Sequence, residues 1–159
     1  LKIAGCWVHC RRYFEEAWEV IGKPKNPEVM SYLVMKQIQA IYREEGKLKD
    51  ISPADRLKQR QVVIKPLVEA FFTYLKQKDH DVPGSGPLRK AVNYALNQEN
   101  HLRVFLTDGE VPMDNNASER AIRGFCLGKK NWEVIDTING AKIQQYGWYD
   151  TLKKVKLDV

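Results

Sequence analysis

Three apolar stripes at helical spacing, separated by breaks rich in proline and glycine, constrain this chain more than any other feature. Met30, Val34, Ile38 and Ile41 form the first stripe. Leu57, Ile64, Val68, Phe71 and Leu75 form the second, and Leu88, Val92, Ala95, Leu102 and Phe105 the third. Residues three, four and seven apart share one face of an α-helix, whereas a half-buried strand needs strict alternation. The stripes are core signals and predict long helices packed as a hairpin or small bundle.

Punctuation residues set the expected boundaries. An extended segment from Lys2 to His9 leads into a helix from about Arg11 to Val20, which Gly22-Lys23-Pro24 stops. Asn26-Pro27 restarts the chain, with Asn as N-cap and Pro at the first helical position. Ser52-Pro53-Ala54-Asp55 opens the next helix in the same way, and Pro66 is expected to kink it. Asp81 to Pro87 is a break, and Asp108-Gly109 ends the third long helix. Further helices are predicted from about Ala117 to Leu127 and from about Ala141 to Lys156, the latter weakened by Gly147. Trp132 to Ile135 reads as a short strand. The predicted fold is mainly α, with at most two short strands.

With 159 residues, 43% of them apolar, the chain is one domain or part of one and can build a core. No apolar run approaches the roughly 20 residues of a membrane span, and no signal peptide is visible. Leu1 is not an initiator methionine, so the sequence reads as a piece of a longer product. A net charge of +6 suits an acidic partner such as DNA. Three cysteines cannot all pair with each other, which points to a reducing compartment. Cys6, His9 and Cys10 invite a zinc reading, but only Cys126 remains as a further cysteine. Buried free thiols fit better.

The run Met113-Asp114-Asn115-Asn116-Ala117-Ser118-Glu119-Arg120-Ala121-Ile122-Arg123 follows Pro112. Asn116 is a natural N-cap, Glu119 falls in the first turn, and Arg123 lies one turn later on the same face. A carboxylate there can bind a metal, and arginines beside it can bind phosphate. Spacing alone favours something plainer: a capping box and an i,i+4 ion pair worth about 0.2–0.5 kcal/mol. Asp114 reads as a turn residue bonded to its own backbone.

Pro112-x-Asp114-Asn115-Asn116-Ala117-x-Glu119-Arg120-Ala121-x-Arg123, followed by Gly128-Lys129-Lys130-Asn131-Trp132, resembles the C-terminal signature of the insertion-sequence 66 family of DDE transposases. Cys6-Trp7-Val8-His9-Cys10-Arg11-Arg12-Tyr13-Phe14 resembles a second block of that family, in the same order and at a similar separation. The resemblance reaches from Cys6 to about Lys142, and Ile143 to Asp150 departs from it.

The resemblance implies an organisation. Residues 1–20 are expected to hold the last strand of a ribonuclease H-like α/β core and its following helix. Residues 21–110 are the expected helical insertion, and 111–159 the signature helix, short strand and terminal helix. It also implies a chemistry, in which three carboxylates hold two Mg²⁺ (or Mn²⁺) ions that drive phosphoryl transfer. Glu119 matches the third acid, catalytic and metal-binding; the first two belong upstream of Leu1.

The expected activity of the intact bacterial, cytoplasmic enzyme is cutting and joining DNA at insertion-sequence ends. Self-association and a DNA target go with it. One acid cannot complete such a site, so this chain alone is expected to be inactive and to hold no ion tightly. Arg120, Arg123, Lys129, Lys130, Arg11 and Arg12 are the candidate DNA contacts, with ordinary solvated charge as the alternative. Trp132 could stack on a base or lie buried under the signature helix. His9 is expected to make a structural hydrogen bond, while His80 and His101 match nothing. A different reading is a non-catalytic helical DNA-binding or interaction module from a decayed transposase.

Overall fold

The chain divides into Leu1–Asp114 and Asn115–Val159. The computed structural model describes residues 4–114, all of which belong to the first unit. Helices α1 (Trp7–Val20), α2 (Met30–Gly46) and α3 (Pro53–Gln59) come first. A π turn (Arg60–Ile64) joins α3 to α4 (Lys65–Lys78). After a 3₁₀ turn (Asp79–Asp81), α5 (Pro87–Asn97), the short α6 (Glu99–Leu102) and a second 3₁₀ turn (Val104–Thr107) complete the described part. Among the described residues there is no strand.

Helix α1 begins at Trp7, four residues ahead of the expected start, so Trp7, Val8 and His9 are helical rather than extended. Packing explains this, because Trp7, Cys10, Phe14 and Ala17 are buried at helical spacing. No capping residue announces this start, and Cys6 at the N-cap makes no side-chain cap bond. The expected strand before α1 is absent from Ala4 to Cys6, and residues 1–3 lie outside the described part. Helix α2 also starts later than Asn26-Pro27. Asn26 instead closes a turn, accepting from the Glu28 N–H on its side chain (2.9 Å) and from the Val29 N–H on its carbonyl (3.0 Å).

Ser52 caps α3 as its sequence predicts: the Asp55 N–H donates to Ser52 Oγ at 3.1 Å, with Pro53 in the first turn. Pro66 cannot donate the bond that continues an α ladder. The helix widens into the π turn just before it, where the Lys65 N–H reaches back to the Arg60 carbonyl. The expected third long helix is broken instead into α5, α6 and the 3₁₀ turn, although Val92, Ala95, Leu102 and Phe105 are still buried.

Helix α1 packs on α5 and α2, and α4 closes the core against α2 and α5. Trp7 sits within an aromatic cluster, 5.3 Å from Phe71 and 6.2 Å from both Phe72 and Phe105 between ring centroids. Each such fully buried side chain contributes on the order of 1.5–3 kcal/mol.

Candidate functional site

Residues 101–113 approach the Pro112–Arg123 motif, and most of this stretch has no regular ladder to satisfy its carbonyls. A buried carbonyl without a donor is costly, so each one needs a partner from elsewhere. From one side, the Gly5 N–H donates to His101 O at 2.8 Å, Trp7 Nε1 to Leu102 O at 2.9 Å and the Trp7 N–H to Met113 O at 3.4 Å. Gly5 eases this approach: a Cβ there would lie 3.0 Å from the His101 carbonyl carbon and the Leu102 nitrogen, tighter than ordinary contact.

Arginines come from the other side. Arg60, at the start of the π turn, is 1% exposed. Its Nη1 donates to Phe105 O (2.8 Å), Asp108 O (2.7 Å) and Val111 O (2.9 Å). Its Nε and Nη2 fork onto the two carboxylate oxygens of Glu45 in α2, with Nε at 3.0 Å. The guanidinium also lies 5.1 Å from the Phe105 ring centroid. Arg56, one turn earlier, donates to Gly109 O (3.2 Å) and to the carbonyls of Leu48, Lys49 and Ile51. Gln61 Nε2 donates to Leu106 O at 2.6 Å. Arginine suits this task because its planar fork carries five donors and stays charged when buried.

Beside this clamp lies a cleft of ≈ 450 Å³, bordered by Tyr42, Glu45, Lys49, Arg56, Glu110 and Asp114. The Tyr42 hydroxyl is buried and has no hydrogen-bond partner among the described residues. Burial, and then the nearby Asp114 carboxylate, hold the Tyr42 phenol above its ordinary pKa.

Of the sequence-predicted site residues, Arg11 and Arg12 are exposed on α1, and Arg11 reaches to 6.0 Å from the Tyr42 ring centroid. Glu119, Arg120, Arg123, Lys129 and Lys130 lie outside the described residues, as do Cys126 and Trp132. Cys6 and Cys10 are buried free thiols, and burial pushes the Cys10 thiol well above its ordinary pKa. Among the described residues no three His, Cys, Asp or Glu side chains converge to hold a metal ion.

Residues 1–143 match the sequence model of the Transposase IS66 family. The chain belongs to that family. It is similar to two uncharacterized proteins of Sinorhizobium fredii, y4jD (28% identical over 142 residues) and y4hP (29% over 150). Each alignment covers 89% of this chain and 27% of the relative. A third, y4qI from the same organism, is 30% identical over 131 residues, covering 82% of this chain and 23% of the relative. The chain thus spans about a quarter of the length of these relatives. No solved structure matches it. No helix among the described residues is long and apolar enough to cross a membrane.

Sequence reasoning did not single out Arg56, Arg60, Glu45 or Gln61. One signal was available: Arg60 falls three residues after Leu57 and four before Ile64, inside an apolar stripe. A charge at such a position is buried only if it is paired and hydrogen-bonded.

Proposed function

We propose that this chain is the C-terminal part of a DDE transposase that cuts and joins DNA at the ends of a bacterial insertion sequence. The observation that carries this reading is the family match over residues 1–143, which includes the motif around Glu119. In this reading Glu119 supplies the third carboxylate of a two-metal site and the upstream acids lie in the preceding sequence. The ions, when bound, activate the attacking oxygen and stabilise the leaving one. Arg120, Arg123, Lys129 and Lys130 then face the phosphate backbone, with Arg11 and Arg12 contributing charge.

The test is Glu119→Gln in the full-length transposase, with donor-end cleavage as the readout. Glutamine keeps the size and hydrogen bonding of the side chain but removes the charge. Cleavage is expected to disappear while end binding and helical content persist; near-normal cleavage would overturn the catalytic role. The match to the family stops at residue 143, which favours one second reading, a non-catalytic helical module from a decayed element. Salt-dependent DNA binding by an uncleaving wild-type full-length protein would support that alternative.

A further inference from the structure

We propose that a notch between α1 and α2, walled by Trp18 and Tyr32 and rimmed by Lys25 and Lys36, holds an unpaired base of single-stranded DNA. DNA as the occupant rests on the function proposed above. The notch itself shares no lining residue with the cleft beside the Arg60 clamp.

Tyr32, Met35, Lys36 and Gln39 recur at three, four and seven residues and therefore share one face of α2. Trp18 comes from α1, with its ring centroid 5.6 Å from that of Tyr32 and the two planes 51° apart. These five residues and Lys25 line a cavity of ≈ 260 Å³. Met35 is 2% exposed and closes the floor, Trp18 and Tyr32 are half-buried, and Lys25, Lys36 and Gln39 are exposed. Clefts for whole ligands run from about 300 Å³ upward, so this one suits a single planar group.

The loop after α1 builds the remaining side. Gly22 (φ 80°) and Lys23 (φ 53°) both take left-handed backbone, which a lysine seldom adopts. Their N–H groups turn back onto the Glu19 and Trp18 carbonyls, each at 2.9 Å. After this reversal Trp18 Nε1 donates to Pro24 O at 3.0 Å, which fixes the indole plane, and Lys25 reaches the rim.

Charge selects the occupant. Lys23 is engaged by Glu19 (2.6 Å) and Glu15 (3.8 Å). Lys25 and Lys36 have no ion-pair partner among the described residues, and Lys36 Nζ lies 5.5 Å from the Tyr32 ring centroid. Packing of two helices accounts for the rings, but not for two uncompensated lysines at their rim. Together they attract a flat group that carries negative charge and repel a cationic one. A nucleotide is that combination, because its base stacks on an aromatic ring while its phosphate meets an ammonium. The strand is unpaired, since bases inside a duplex are stacked on each other and offer only their edges.

The test measures binding of this chain to a fluorescent thymidine oligonucleotide and to an abasic strand of the same length, by anisotropy at low salt. The abasic strand keeps every phosphate, so the ratio of the two affinities reads stacking alone. The parent chain is expected to favour the thymidine strand roughly tenfold. Tyr32→Leu, which keeps an apolar contact for Trp18, is expected to abolish this preference while abasic affinity holds. Lys25→Gln with Lys36→Gln is expected to weaken binding to both strands and flatten the logarithmic salt slope by about 1.4, at about 0.7 per phosphate contact. Lys65→Gln with Lys90→Gln removes the same charge from α4 and α5 and is expected to leave the base preference and the slope near those of the parent.

Equal affinity of the parent for the two strands would overturn the stacking site. A base preference that survives in Tyr32→Leu would do the same, as would an equal loss of duplex binding in that variant. Circular dichroism checks that each variant keeps its helices. Should Tyr32→Leu lose them, the two exposed rim lysines carry the test, and a salt slope unchanged by their removal sinks the proposal. None of these outcomes touches donor-end cleavage, whereas near-normal cleavage in Glu119→Gln would overturn the functional reading and leave the base preference standing.

Discussion

Gly109 lies against Pro53 so closely that a Cβ at position 109 would fall 1.8 Å from the Pro53 carbonyl oxygen. The contact joins the start of α3 to the run that precedes the acid motif, and only a residue without a side chain permits it. Pro53 is held in turn by the Ser52 cap, which fixes where α3 begins. Gly109→Ala is accordingly expected to force the two backbones apart and cost about 1–3 kcal/mol, the usual range for overpacking. Urea unfolding of the variant against the parent chain checks this. An unchanged midpoint would mean that the run can move away freely.

Trp7 carries two loads, an aromatic contact with Phe71 and a hydrogen bond from its indole to Leu102 O. Trp7→Phe keeps a ring but removes the donor, leaving a buried carbonyl unserved. The expected loss is about 1–3 kcal/mol beyond any packing effect. Far-ultraviolet circular dichroism is expected to stay helical, with a lower melting temperature.

Arg60 and Glu45 form a pair in which each partner is costly to leave alone. Removing one member of such a buried pair typically costs about 3–5 kcal/mol. Arg60→Met is expected to fall in that range, because Glu45, at 17% side-chain exposure, then loses the ion-pair partner it has among the described residues. Adding Glu45→Leu is expected to recover part of the loss, by removing the stranded charge, though not all of it, since three carbonyls stay without their donor. A double-mutant cycle by denaturant unfolding measures the coupling, and strict additivity would contradict a shared network.

Acid is expected to loosen the α4–α6 contact through Arg103. Hydrogen bonding from Arg103 holds the Glu69 carboxyl below its ordinary value of 4.5. Burial pushes Glu99 upward, but donation from Lys76 and Arg103 more than offsets this and its net shift is also downward. A carboxyl whose folded pKa is depressed adds stability that is complete above its unfolded pKa and is lost as pH falls through the folded value. The contribution is therefore intact at neutral pH and declines below about pH 4.5. Arg103→Leu is expected to flatten this acid limb while leaving the neutral-pH helix content in place. Parallel acid limbs in the two proteins would show that other carboxylates dominate.

Much of the scaffold was legible because its signals are local. The stripe from Val34 to Ile41 is buried as its period requires, as is that from Ile64 to Leu75. Ser52-Pro53 opened a helix because cap and proline act within one turn. The misplaced boundaries have a common cause. Helix α1 starts at Trp7 because its buried ring docks on residues some 65 positions away, with no cap to announce it. Asn26 served a turn instead of a helix because the same side chain can close either. The candidate site was legible only as a motif: Glu119 and its flanking basic residues stand out by resemblance, and their placement lies outside the described residues.

The sequence by itself determined that the described part of the chain is helical, where most of its breaks fall and which family the chain joins, because helical period, turn chemistry and motif are all written in neighbouring residues. Only the tertiary structure decided that Arg60 is buried, that its partner is Glu45, and that one guanidinium gathers the carbonyls of Phe105, Asp108 and Val111. The physical reason is the reach of these bonds. A hydrogen bond across 45 or more residues depends on how three elements pack, and no local pattern records which distant carbonyls a buried arginine will meet.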